Sequence, residues 1–241
     1  MNYLNTKPML YGIKRHAVMN EIDLIEAYPS KVAQLLMDDE VDVALIPVAA
    51  TMKMKEWHIV SDYGIACDGT VASVCIFSQK PLEEIDTVYL DYQSRTSVNL
   101  ARILLKEYWK KDVKLIDAKG EDFRDQIKGT TAGVVIGDRA LEQRLRSNYI
   151  YDLGEAWKAH TGLPFVFAAW ISNKPLPESF KTQFNEANKL GLDHLQEVIE
   201  ENQYAVYDLW HYYEENIDYL IDERKKEGMQ LFLSKLSELN G

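Results

Sequence analysis

Between Met1 and Asn173, short and almost wholly apolar runs alternate with amphipathic stretches, and this alternation constrains the fold more than any other feature. "VDVALI" (Val41–Ile46), "TVASVCIFS" (Thr70–Ser78), "TVYL" (Thr87–Leu90), "VKLI" (Val113–Ile116) and "AGVVIG" (Ala132–Gly137) read as strands, as does "IDLIEAY" (Ile22–Tyr28). Several are apolar at consecutive positions, which suits parallel strands covered on both faces. Helices are expected between them over Pro29–Met37, Ser97–Lys110, Glu121–Ile127 and Asp138–Arg146. Strands trading places with helices call for an α/β fold with right-handed crossovers.

After "SNKPLPESF" the pattern changes. From Glu178 to Leu239 the apolar spacing is helical, as in Leu192, Leu195, Val198 and Ile199, then Leu209, Tyr212 and Tyr213. Two or three C-terminal helices are expected, with Tyr204, Tyr207, Tyr212, Tyr213 and Tyr219 as packing residues. Proline and charge interrupt the strands at Gln79–Asp86, and a second break falls near Ala168–Asn173. These breaks divide the chain into a discontinuous lobe one (1–80 plus 170–241) and an inserted lobe two (81–169) with a cleft between them. A single doubly wound sheet is the other arrangement that composition allows.

The net charge of −11 argues against nucleic acid as a partner, because phosphate binding needs a basic face. It also means that an anionic substrate must be held by local donors against the field of the whole chain. No apolar run reaches the roughly 18–20 residues that span a membrane. A basic segment leading into an apolar one is missing at the N-terminus, so cytoplasmic residence is expected. The two cysteines, Cys67 and Cys75, fit a reducing compartment.

The sequence contains no GxGxxG, GxxxxGK[ST] or GxSxG motif. His16, His58, His160, His194 and His211 are scattered without metal-ligand spacing, so neither a metal nor a cofactor is expected. Three polar loops remain. Asn5-Thr6 precedes Pro8 and reads either as a helix cap or as a ligand contact. "DYQSRTS" (Asp91–Ser97) joins a strand to a helix and offers the hydroxyls of Ser94, Thr96 and Ser97, the helix amides and the Arg95 guanidinium. A carboxylate placed there gains charge-assisted hydrogen bonds and the positive helix end. In "IGDRAL" (Ile136–Leu141), Asp138 is either an N-cap or an acceptor for a substrate hydroxyl.

Taken together, "YLNTKP", "DVALIPVA", "CDGTVASVCIFS", "VYLDYQSRTSVNLARILL", "GVVIGDRAL" and "YDLGEAWKAHTGLPFVFAAW" resemble the chorismate dehydratase family of the futalosine route to menaquinone. The resemblance implies a two-lobed, periplasmic-binding-protein-like (type II) α/β fold with C-terminal helices. The implied reaction removes water from chorismate, a small dicarboxylate, to give 3-[(1-carboxyvinyl)oxy]benzoate without redox cofactor or metal. It assigns Asn5 and Ser73 to catalysis, and Ser94, Arg95, Thr96 and Ser97 to the substrate carboxylate. Phe165 and Phe167 become candidates for an apolar wall, although Phe167 also reads as ordinary core. Trp157 and Trp170 read as structural. Two other functions fit the same sequence. One is the related synthase making 1,4-dihydroxy-6-naphthoate, and the other is a non-catalytic binding protein for a small aromatic acid.

Overall fold

The computed structural model of the chain describes residues 3–27 and 29–240. The first elements are α1 (Lys7–Arg15), α2 (Pro29–Met37), β1 (Val43–Pro47), β2 (His58–Cys67), β3 (Val74–Ser78), β4 (Thr87–Leu90) and α3 (Arg95–Glu107). Then come β5 (Lys114–Asp117), β6 (Thr131–Ile136), α4 (Asp138–Gln143), β7 (Tyr149–Asp152), α5 (Leu153–Thr161) and β8 (Phe165–Ser172). The chain continues through α6 (Glu178–Leu192), α7 (Leu195–Glu201), the single turn α8 (Leu209–His211), β9 (Asp218–Leu220) and α9 (Glu223–Asn240). Among the described residues, no helix is long and apolar enough to cross a membrane.

Two compact units result. Unit 1 takes Met1–Ala66 and Val166–Glu223, and unit 2 takes Cys67–Phe165 and Arg224–Gly241. These bounds differ from the expected lobes in two ways. The first crossing comes at Ala66, ahead of Gln79–Asp86, because β3 pairs with β6 and β7 of unit 2. The C-terminal helix α9 also belongs to unit 2, where Phe232 packs edge-on against Trp157 and Phe165, with ring centroids 6.3 and 5.0 Å away. Lys235 reinforces this docking by donating to Glu107 on α3 at 2.5 Å.

Unit 1 is built on a four-stranded sheet in the order β1-β8-β2-β9, with β1 antiparallel to β8 and β2 antiparallel to β9. All eight residues of β8 are buried, so the strand reads as one continuous apolar run. Pro8 sits in the first turn of α1, where its missing N–H has no helical partner to lose, and Lys14 and Arg15 lie in the last turn. Helix α1 packs on α6 at backbone contact. A Cβ on Gly12 would strike the Ala187 carbonyl oxygen, and one on Gly191 would strike that of Pro8.

Unit 2 carries a five-stranded sheet in the order β5-β4-β6-β3-β7. β4 runs parallel to β5 and β6, whereas β3 runs antiparallel to β6 and β7. The sheet is therefore mixed, where apolar content alone suggested parallel strands. Phe77, Phe123, Val135 and Ala140 form part of a buried core over it.

Three other expectations are corrected. Ile22–Ala27 joins no sheet, and Tyr28 lies outside the described residues. Its alternate residues stay partly exposed, and Glu26 pairs with Lys14 instead of facing a core. Glu121–Gln126 is a 3-10 turn rather than an α-helix. The C-terminal region contains a short strand, β9, after a π-helical turn at Tyr212–Asn216. Tyr212, Tyr213 and Tyr219 are nevertheless buried, consistent with packing.

Candidate functional site

Six of the eight candidate residues collect at one end of the unit 2 sheet. Val74 pairs with Ile136, so Ser73 lies beside Gly137, whose N–H donates to the Ser73 carbonyl at 2.8 Å. Tyr89 pairs with Gly133 in the parallel ladder, which carries Asp91 and the loop after it to the same end. The carboxyl ends of parallel strands are where open α/β sheets bind ligands. Ser73, Ser94, Thr96 and Ser97 are all buried there.

The local chemistry of the 91–97 loop is that of a helix start. Ser94 is the N-cap of α3: its Oγ accepts from the Ser97 N–H at 3.1 Å and donates to the Ser97 Oγ at 2.9 Å. Arg95 is exposed and makes no ion pair among the described residues. Asp138 is the first residue of α4, and the cap position is Gly137, at φ 65°. The N-cap reading of Asp138 is thus corrected.

Two buried carboxylates that the sequence reading did not single out organise this end. Asp91 accepts both Arg139 Nη2 bonds, at 3.0 and 2.8 Å, with its side chain fully buried and that of Arg139 12% exposed. It also accepts from the N–H groups of Gln93 at 2.9 Å and Ile136 at 3.2 Å. One carboxylate therefore ties the 91–97 loop to the start of α4. Arg139 reaches on to Glu121 at 3.1 Å, which also accepts from the Tyr92 hydroxyl at 2.8 Å. Burial pushes the Asp91 carboxyl upward, and the Arg139 guanidinium and the two amides pull against it.

Asp152 is the second. Its Oδ1 accepts from Gly154 and Glu155 N–H at 2.9 and 3.1 Å, capping α5. The same side chain accepts from Val71 and Ala72 N–H at 3.2 and 2.8 Å, in the loop that leads into Ser73. Burial raises its pKa, opposed by hydrogen bonds from the Glu155, Val71 and Ala72 amides and the Cys75 thiol. Burial also holds both free thiols, Cys67 and Cys75, well above their ordinary range, so each is protonated at neutral pH. A sequence signal existed for both acids. Each stands at a strand end two residues before an amide that its side chain caps, in an Asx turn or a helix N-cap.

The other two candidates lie in unit 1. Asn5 occupies a single 3-10 turn, Leu4–Thr6, ahead of α1. Thr6 takes the cap position of α1 without a side-chain cap bond, and its hydroxyl donates instead to the Tyr3 carbonyl at 2.8 Å. The capping reading of this dipeptide is corrected accordingly. Asn5 Oδ1 is buried and has no hydrogen-bond partner among the described residues, a costly state for an amide oxygen unless a ligand supplies a donor. Its main-chain carbonyl accepts from the Tyr219 hydroxyl at 3.0 Å. Phe167 is buried in the middle of β8. Phe165 belongs to unit 2 and is fully buried, its ring centroid 5.3 Å from that of Trp157, which makes it core. Trp157 and Trp170 are core as expected, each donating its indole N–H, to the Pro164 carbonyl at 3.2 Å and to Asn188 at 3.0 Å.

Among the described residues, no three His, Cys, Asp or Glu side chains are grouped as a metal site requires. A shallow depression lined by Glu83, Asp86, Lys111 and Lys114 lies at the opposite end of β4 from the hydroxyl loop.

Two α/β units on a chain that passes between them more than once, with polar loops at strand ends, define the periplasmic-binding-protein-like class. Solved structures agree. A protein of Archaeoglobus fulgidus superposes with a TM-score of 0.70 at 13% identity, over 99% of this chain and 95% of that one. The periplasmic aliphatic sulphonate binding protein of Escherichia coli gives 0.65 at 12%, over 98% and 90%. At that identity the likeness is one of fold. Within this class the chain belongs to the menaquinone biosynthesis family, which it matches over residues 1–238. Two curated relatives are named chorismate dehydratase. That of Thermus thermophilus is 26% identical, over 97% of this chain and 92% of its own length. That of Campylobacter jejuni is also 26% identical, over 100% and 97%. The resemblance read from the sequence motifs is borne out.

Proposed function

We propose that the protein is a chorismate dehydratase, a hydro-lyase that converts chorismate into 3-[(1-carboxyvinyl)oxy]benzoate and water. The observation that carries this reading is the gathering of Ser73, Ser94, Thr96, Ser97 and Asp138 at one sheet end, in a chain of the menaquinone biosynthesis family. The hydroxyls and first amides of α3 suit a carboxylate, since charge-assisted bonds and the helix end both favour an anion.

The elimination takes a proton from C3 of the ring and hydroxide from C4, and the C3–H electron pair becomes part of the aromatic ring. In this reading the base is the carboxylate on the substrate's own enolpyruvyl arm, and the protein holds the arm in the reactive geometry. Ser73 and Asn5 hydrogen-bond the departing hydroxyl or the charge that develops on it. The buried Asn5 oxygen supports a place at the intact hydroxyl, whose O–H it can accept, while donation to the departing oxygen falls to the Asn5 NH2 group and the Ser73 hydroxyl. Ser94, Arg95, Thr96 and Ser97 hold the ring carboxylate, Asp138 accepts from a hydroxyl, and Phe167 contributes apolar surface. No cofactor enters the scheme, and cytoplasmic residence belongs to the same reading.

The test is turnover of chorismate by the purified protein. Replacing Thr96 by Ala should raise the KM for chorismate several-fold (about 1 kcal/mol for one lost hydrogen bond). Unchanged affinity would remove the loop from the carboxylate site.

A further inference from the structure

The chain enters Ser73 through a turn that alanine rarely makes. Ala72 has φ +61°, and across it the Ser73 N–H donates to the Val71 carbonyl at 2.7 Å. A bond spanning three residues around a positive φ is the rarer, strained hand of the γ-turn. Such a conformation survives only where its surroundings over-determine it. Here they do. Asp152 accepts from the N–H groups of Val71 and Ala72 at 3.2 and 2.8 Å, and Arg144 donates to the Ala72 carbonyl at 3.1 Å. Carboxylate and guanidinium thus hold three consecutive peptide units of the turn, the first two by their N–H donors and the third by its carbonyl. Val71, Ala72 and Ser73 are all buried, so water does not substitute for either.

The "DLG" of β7 and α5 supplies this geometry. Asp152 pairs with Cys75 across the sheet, which sets its carboxylate beneath the turn. Gly154 lets the start of α5 come close: a Cβ there would lie 2.5 Å from Cys67 Sγ and 2.5 Å from the Gly69 carbonyl. A turn needed only to reverse the chain would be met by glycine, as at Gly69, where φ is +128°. Position 72 instead keeps a side chain, and a buried carboxylate and a half-buried guanidinium hold it in place.

We infer that Asp152, assisted by Arg144, is a positioning residue of the reaction: it imposes the γ-turn at Ala72 that fixes the direction of Ser73. This rests on the dehydratase reading for what Ser73 does, and on the geometry alone for how Ser73 is held. Asp152→Asn replaces one acceptor oxygen by an NH2 group facing backbone N–H donors, which releases the turn. It should lower kcat about 10²-fold, as a misplacement near 1 Å does, with KM little changed. In a Ser73→Ala background the same substitution should cost almost nothing further, because both act through one group. Ala72→Gly relaxes the turn without touching either charge. It should lower kcat ~10-fold while Tm stays level or rises, since glycine adopts this φ freely.

Additive losses in the double variant, or full kcat in Ala72→Gly, would overturn the inference. Should Asp152→Asn fail to fold, Ala72→Gly decides alone. Amide hydrogen exchange separates this result from the functional reading. If wild-type protein leaves chorismate unchanged, the dehydratase reading fails. Faster exchange at Val71, Ala72 and Ser73 in Asp152→Asn or Ala72→Gly then still supports the imposed turn, and unchanged exchange overturns it.

Discussion

The candidate groups of unit 2 and the one polar candidate of unit 1 are held in opposite ways. In unit 2, Ser73 and the 94–97 hydroxyls sit on loops fastened by two buried carboxylates, each accepting from two separate segments of chain. In unit 1, Asn5 is fixed through its backbone by the Tyr219 hydroxyl, and its side-chain oxygen is buried without a partner among the described residues. The first arrangement is finished before any ligand arrives. The second leaves a polar atom whose hydrogen bond is still to be made. Stability and function should therefore respond in opposite order in the two places.

The largest effect on folding should come from Arg139→Ala. It leaves the buried Asp91 carboxylate without its guanidinium, a change that typically costs about 3–5 kcal/mol. Urea unfolding measures it, and a loss under 1 kcal/mol would mean that the unit 2 loops are not held as described. Asn5→Ala should do the reverse. It removes an unsatisfied oxygen, so unfolding free energy stays level or rises, while kcat on chorismate falls on the order of 10²–10³. Ser94→Ala deletes the cap of α3 and should cost ~1 kcal/mol, together with weaker chorismate binding. Tyr219→Phe removes the bond that its hydroxyl makes to the Asn5 carbonyl. It should cost ~0.5–1.5 kcal/mol, with a drop in kcat that Arg139→Ala at matched folded fraction does not reproduce.

The smallest expected effect is on pH dependence. Burial alone would raise the Glu107 carboxyl, but hydrogen bonds from Lys235 and His160 outweigh it, so the folded pKa lies below the ordinary 4.5. A depressed carboxylate contributes stability that is present above the unfolded value and lost as pH falls through the folded one. The docking of α9 should therefore loosen as pH drops below 4.5, seen as faster amide exchange in that helix. Glu107→Gln should abolish the dependence. A loosening that survives the substitution would assign it to another group.

Much of the fold was legible because burial on two faces leaves a continuous apolar run. "TVYL" is β4 residue for residue, and α2 has the expected bounds. Strand direction was not legible, because apolar content reports burial and says nothing of which neighbour a strand pairs with. "IDLIEAY" shows the converse: over Ile22–Ala27 it carries a strand-like pattern and joins no sheet. At the site, small hydroxyl residues at a strand-to-helix junction were visible from spacing. Asp91 and Asp152 show locally only as an Asx-turn and a helix-cap residue, since what ties them to the rest of the site lies far along the chain. Arg139 is 48 residues from Asp91, and the Val71 amide is 81 residues from Asp152. Glycine was the least legible type: Gly12 and Gly191 matter through a helix contact that neither local sequence announces.

The central claim is that these groups serve the dehydration of chorismate, and one measurement addresses it directly. Purified protein mixed with chorismate is followed by ultraviolet absorbance, with the product identified by mass. The account predicts loss of the cyclohexadiene band, appearance of an aromatic product lighter than chorismate by one water, and a much slower change with Asn5→Ala or Ser73→Ala. Tight binding of chorismate with no conversion would contradict it and would place the chain among the binding proteins whose fold it shares.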